Sequence, residues 1–217
     1  MIGSTGAQRA STSRRVSRML LGATLAVLIA APGASAAGPG PGPRIAVSDT
    51  ATTATTTTAV TAPWLSTEVY YLSLVNCTRT GGWVLTNGTC RAYGSGRYSP
   101  YVRPLVRHVG ISDRVTRPYA RLLAIGALCS HFVNGDPGLR LRRAGYRGYA
   151  WGENIGCRDG YSTAKAAVLA SHLGYQAEKS TNGGHWRNIK NARFIYIGIG
   201  IWRTGSRTRL VTDFYRP

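Results

Sequence analysis

Residues 194–202 read FIYIGIGIW, in which Ile195, Ile197, Ile199 and Ile201 interleave with Phe194, Tyr196, Gly198, Gly200 and Trp202. Period two is the period of a β-strand, because successive side chains leave it on opposite faces. The branched isoleucines predict burial of one face. The glycines predict that something packs close to the backbone on the other. Gly205-Ser206 then turns the chain into RLVTDFYRP, read as a second strand.

Upstream the period changes to that of helices. Ser162-Thr163 caps a helix running through AKAAVLASHLGYQAE. At 100° per residue, Lys165, His172, Gln176 and Lys179 share a stripe read as the solvent face. Glu178 falls near Ala164, Val168, Ser171 and Tyr175, on the inward side, where an acid needs a partner. Asp136-Pro137 opens a short helix that stops at Gly145, and SDRVTRPYARLLAIGALCS (112–130) reads as a longer one. That helix carries a basic stripe of Arg114, Arg117 and Arg121, and Pro118 kinks it or starts its longer half. Ser66-Thr67-Glu68 reads as a capped helix start before VYYLSLVN, and Asn87-Gly88 as a hairpin turn. Helices mixed with an antiparallel sheet give an α+β layered domain.

The beginning of the chain reads differently. Arg14, Arg15 and Arg18 precede an apolar run from Met19 to Ala31, and Ala34-Ser35-Ala36 follows. This is the pattern of a signal peptide (1–36) cleaved near Ala36, for a secreted, extracellular protein. Residues 37–63, Gly/Pro-rich and then Thr/Ala-rich, read as a flexible linker. Residues 64–217 remain as one domain, with no membrane span expected.

The formal charge of +19 comes from 27 Lys and Arg against 8 Asp and Glu, and falls to +15 without residues 1–36. Arg140, Arg142, Arg143 and Arg147 cluster, as do Arg203, Arg207 and Arg209. Such a field could attract anionic cell-wall polymers or lipid headgroups. No nucleic-acid-binding signature accompanies it, so no specific nucleic acid is expected. The four cysteines permit three pairings, of which Cys77–Cys90 with Cys129–Cys157 closes the shortest loops. A Cys₄ zinc site is the competing reading, and no CxxC spacing supports it.

His131, Glu153, Glu178 and His185 are the candidates for chemistry. Two imidazoles and two carboxylates can bind a divalent metal such as zinc, or form an acid–base set in which each carboxylate orients an imidazole. The bland alternative is a pair of buried His–Glu hydrogen bonds. His172, on its solvent stripe, and His108, in a loop, read as exposed bystanders. Trp186 and Trp202 read as packing residues.

SHFVNGDPGLRLRRAGYRGYAWGENIGC followed by GGHWRNIKNARFIYIGIGIW resembles the CAP superfamily, also called the SCP domain: cysteine-rich secretory proteins, antigen 5 and pathogenesis-related class 1 proteins. The likeness is to its bacterial branch and covers about residues 66–217. LSLVNCTR resembles the family's opening helix, with Arg79 at its usual arginine. The resemblance implies a three-layer α-β-α sandwich with a mainly antiparallel central sheet and an open cleft. It implies a cleft tetrad of His131, Glu153, Glu178 and His185, the last glutamate from Tyr175-Gln-Ala-Glu178. His131 and His185 would hold any Zn2+ or other divalent cation. The function implied is an extracellular binding or interaction module for a small-molecule, lipid or peptide ligand, acting as a monomer. The alternative is an extracellular hydrolase of peptides or cell-wall material, with Glu153 or Glu178 catalytic. Glu153 has His131 or His185 as its expected partner.

Overall fold

A computed structural model describes residues 62–217. The expected signal peptide and nearly all of the expected linker lie outside those residues. Helix α1 (Leu65–Arg79) is followed by a two-stranded hairpin, β1 (Trp83–Val84) and β2 (Cys90–Arg91). Next come β3 (Val106–Arg107), the single turn α2 (Val109–Ile111), a wide π-turn (Ser112–Thr116) and α3 (Arg117–Ile125). Helix α4 (Pro137–Arg143) leads into β4 (Ala150–Arg158). Helix α5 (Ala164–Ala177), a 3₁₀ turn (Glu178–Thr181), α6 (Gly184–Lys190), β5 (Tyr196–Thr204) and β6 (Arg207–Arg216) complete the chain.

The main sheet has the order β3-β5-β6-β4. Strand β6 pairs antiparallel with both β5 and β4, whereas β3 lies parallel to β5, so the sheet is mixed and β4 is an edge. Ile197, Ile199 and Ile201 enter a core shared with Tyr71, Leu74 and Val168 of α1 and α5. The other face of β5 is covered by α2, the π-turn and α3. A Cβ on Gly198 would stand 2.2 Å from Ile111 Cγ2, and one on Gly200 2.1 Å from the Thr116 carbonyl carbon. The glycines therefore mark a close approach between layers. The result is an α-β-α sandwich. Ile195 is an exception to the expected alternation: it precedes β5 and is partly exposed.

Local chemistry explains several boundaries. Asp136 accepts from the Leu139 N–H with Pro137 in the first turn, and Gly145 at φ +88° follows the end of α4. Thr163 accepts from the Ala166 N–H to start α5. Pro118 begins the longer half of its helix, just after the Arg117 N–H reaches five residues back to Ser112 O. The helix then ends at Ile125, short of the expected Ser130. Both proposed disulfides are formed, Cys77–Cys90 and Cys129–Cys157.

Several expectations give way where the helical layers are covered more completely than a single-face reading assumes. Helix α5 packs against the sheet on one side and α1 on the other, so His172 and Gln176 are buried rather than solvent-facing. The α1 start is at Leu65 after Trp64, with no side-chain cap from Ser66 or Thr67, and the first-turn acid Glu68 is fully buried. Arg117 of the basic stripe bonds Glu68 through Nε and Nη2, both at 2.6 Å. His108 caps α2 by accepting from the Ile111 N–H, and its ring packs edge-on against Tyr146, Tyr196 and Tyr215.

Candidate functional site

Strand β4 carries AWGENIGCR, and its alternation divides the site. Glu153 and Ile155 point to the α3 side, while Gly152, Asn154 and Gly156 face α5 and α6. A side chain at Gly152 would strike Asn188, and one at Gly156 would strike Ser171 and Tyr175.

On the α3 side, the Nδ1–H of His131 donates to Glu153 Oε1 at 2.8 Å. A carboxylate only accepts, so this bond fixes the tautomer and leaves Nε2 of His131 as a free acceptor. Arg140 Nη2 bonds the second carboxylate oxygen. The same guanidinium donates to His131 O and Gly135 O at 2.8 and 2.6 Å and lies 3.6 Å from the centre of the Tyr119 ring. Both Glu153 oxygens thus have a donor, and its side chain is only 1% exposed. The imidazole of His131 is 38% exposed.

On the other side, Glu178 begins the 3₁₀ turn and faces the N-terminus of α6. Its Oε1 accepts from His185 Nδ1 at 2.5 Å, and its Oε2 accepts from the His185 main-chain N–H at 2.9 Å. Gly183 leaves room for this, since a Cβ there would lie 2.4 Å from Oε2. Burial raises the Glu178 carboxyl, but the His185 ring and the His185 and Trp186 N–H groups together outweigh it and hold the group below its usual value. The His185 ring stacks on Tyr175, 4.4 Å between centres, and leaves Nε2 free.

Two asparagines tie the pairs to one strand. Asn154 Nδ2 donates to His185 O at 3.1 Å, and Asn188 Nδ2 donates to Glu153 O at 3.0 Å. Of the two partners open to Glu153, the structure selects His131; His185 takes Glu178. No hydrogen bond joins one pair to the other among the described residues, and no three His, Cys, Asp or Glu side chains there converge on a metal-sized point.

Sequence reasoning missed Arg140 as a partner of Glu153, grouping it with the solvent arginines. Arg209 was misplaced likewise: its side chain is 4% exposed and bonds Asp159 and Leu128 O. Arg142, Arg143 and Arg147 are exposed as expected. A hollow of about 430 Å³, lined by Tyr119, Asn134, Arg114, Arg140 and Arg143 over Val115 and Leu122, shares Arg140 with the His131–Glu153 pair.

No protein-family model matches the chain, and no curated protein matches its sequence. Among solved structures, an outer surface protein from Borrelia burgdorferi aligns over 71% of this chain and 96% of its own, with 14% identity and a TM-score of 0.52. The two share a fold. An extracellular protein containing an SCP domain from Bacillus anthracis aligns over 70% of this chain at 20% identity and a TM-score of 0.48, and this chain spans 41% of its length. NaASP2, crystallised with Zn2+, aligns over 68% of this chain and 78% of its own at 14% identity and a TM-score of 0.45. Among the described residues, no helix is long and apolar enough to cross a membrane.

Proposed function

We propose that residues 64–217 form an SCP, or CAP, domain that acts as an extracellular binding module, with a site formed by His131, Glu153, Glu178 and His185, secreted through the segment ending near Ala36. One observation carries the choice of binding over hydrolysis. Glu153 is shut away from solvent with both oxygens engaged by His131 and Arg140. A general base must reach the water it activates. Glu153 therefore orients His131, as Glu178 orients His185, and each partly exposed ring keeps Nε2 without a partner. Arg114, Arg140 and Arg143 around the neighbouring hollow favour a ligand with an anionic group set on an apolar body.

The donors do not fit a resident three-ligand metal centre. His131 and His185 each offer one Nε2 at most, so a Zn2+ or similar ion would take the remaining ligands from water, and no step is assigned to it. The hydrolase reading keeps only the more exposed Glu178–His185 pair.

Equilibrium dialysis against Zn2+ with His131→Ala/His185→Ala tests the imidazoles, and unchanged uptake rejects them as ligands. Incubation with peptides and wall glycans tests the choice of class. The binding reading expects no turnover, and turnover abolished by Glu153→Gln would overturn it.

A further inference from the structure

Six of the seven acids among residues 62–217 have a donor. Glu68 takes Arg107 and Arg117, and Asp113 takes Arg117. Asp136 caps α4, Glu153 takes His131 and Arg140, Asp159 takes Arg209, and Glu178 takes His185. Asp213 is the exception. It is fully buried in the middle of β6, and neither carboxyl oxygen has a partner. Among the described residues no Lys or Arg forms an ion pair with it.

Its surroundings explain how it is tolerated. Asp213 sits between Gly198 of β5 and Glu153 of β4 in one cross-strand row. Directly opposed residues of an antiparallel pair share a face, so the Asp213 and Glu153 carboxyls meet beneath α3 and α4. The facing charged or titratable groups are Glu153 itself, Arg140 from α4, which bonds Glu153, and Tyr119 from α3. Two ionised carboxylates cannot bond one another, and an unpaired buried charge is very costly. A protonated carboxyl removes both problems by supplying one O–H donor to its neighbour. Burial and the Glu153 charge act in this direction, raising Asp213 well above its ordinary value against the opposing pull of Arg140.

We propose that Asp213 is a positioning residue of the candidate site: a neutral carboxylic acid whose O–H donates a hydrogen bond to Glu153 across the strand pair, fixing the carboxylate that holds His131. Glu153 then has three donors, from His131, Arg140 and Asp213, and keeps the charge that sets the His131 tautomer. The proton stays on Asp213, which is sealed from ligand. The proposal rests on the reading that the His131–Glu153 pair belongs to the binding site.

Infrared difference spectroscopy on protein labelled with ¹³C at the Asp carboxyls tests the protonation. The folded protein at pH 7 should show one protonated-carboxyl band, lost in Asp213→Asn. Absence of the band overturns the proposal whatever the site binds. ¹⁵N spectra of the His131 ring at pH 8 test the positioning. The wild type and Asp213→Asn, whose amide still donates, should both carry the proton on Nδ1, whereas Asp213→Leu should show mixed tautomers. An unchanged ring in Asp213→Leu also overturns it. Should the Leu variant not fold, the same spectra of Asp213→Asn decide, since a ring that loses its Nδ1 proton there contradicts the donor role. These readouts need no ligand, so failure of the Zn2+ or turnover experiments leaves them independent.

Discussion

Nε2 of His172 lies 2.9 Å from Oγ1 of Thr78, and both side chains are closed off from water between α5 and α1. The Thr78 hydroxyl donates to Gln176 Oε1 at 3.1 Å, so toward His172 it accepts and the ring supplies its Nε2–H. Nδ1 has no partner. The ring is therefore held neutral, and burial lowers it from 6.5 to about 3. Below pH 6.5 the unfolded chain takes up a proton that the folded one refuses. Stability is full above that value and is lost as pH falls toward 3, at up to about 1.4 kcal/mol per pH unit. Urea unfolding at pH 4.5, 5.5 and 7 should show this loss, and His172→Gln should flatten it by one proton. A Gln variant with the wild-type slope sinks the assignment.

Glu68 joins α1 to the segment on the opposite side of the sheet edge. Arg117 grips both its oxygens, and Arg107 adds a third bond at 2.7 Å. Glu68→Gln removes the charge and leaves two mostly buried guanidiniums facing an amide. The expected cost is about 3 kcal/mol, since breaking a buried ion pair strands its partner. Denaturant midpoints measure it, and a loss below about 1 kcal/mol would put the network in the class of screened surface pairs.

The two disulfides differ in what they hold. Cys77 and Cys90 are separated by 13 residues, and Cys129 and Cys157 by 28. Loop entropy makes each worth about 3–4 kcal/mol, the longer one slightly more. Cys129–Cys157 also ties the segment before His131 to the end of β4, the strand of Glu153. Cys129→Ser/Cys157→Ser should therefore speed amide exchange across residues 129–135, while Cys77→Ser/Cys90→Ser leaves that segment protected. Equal exchange in the two variants would disconnect the disulfide from the site.

What could be read in the sequence, and what could not, follows from how each feature is encoded. The glycine–isoleucine alternation of β5 and the caps of α4 and α5 are local, and they stand where they were read. The faces of α5 are not local. A helix covered on two sides has no broad solvent stripe, so angular phase alone sends His172 and Gln176 to the wrong environment. The His–Glu pairings depend on strand β4 offering opposite faces to two layers, and period two cannot say which histidine meets which face. Asp213 did leave a trace: it shares a face with Val211 and Tyr215 in LVTDFY, an acid inside an apolar strand. Arg140 left none, since an arginine among arginines on a short helix looks like solvent charge.

The sandwich itself makes a ranked prediction at its glycines. A methyl at Gly200 would stand 2.1 Å from the Thr116 carbonyl carbon and 2.3 Å from the Arg117 nitrogen, both main-chain atoms of the π-turn and α3. No rotamer change can relieve that contact, so β5 and the helical layer must separate. Gly200→Ala is expected to cost about 3 kcal/mol or more, at the upper end for overpacking. At Gly198 the nearest atom is Ile111 Cγ2, at 2.2 Å, with the Ile111 main-chain carbon at 3.2 Å. A side chain can shift where a backbone cannot, so Gly198→Ala should cost less. Gly184, at the start of α6, has nothing within 4 Å of a built Cβ, and Gly184→Ala should stay within about 0.5 kcal/mol of wild type. Denaturant midpoints falling in that order support the seating of the π-turn on β5. A Gly200→Ala protein with the wild-type midpoint would mean that this layer does not rest where the isoleucine–glycine alternation puts it.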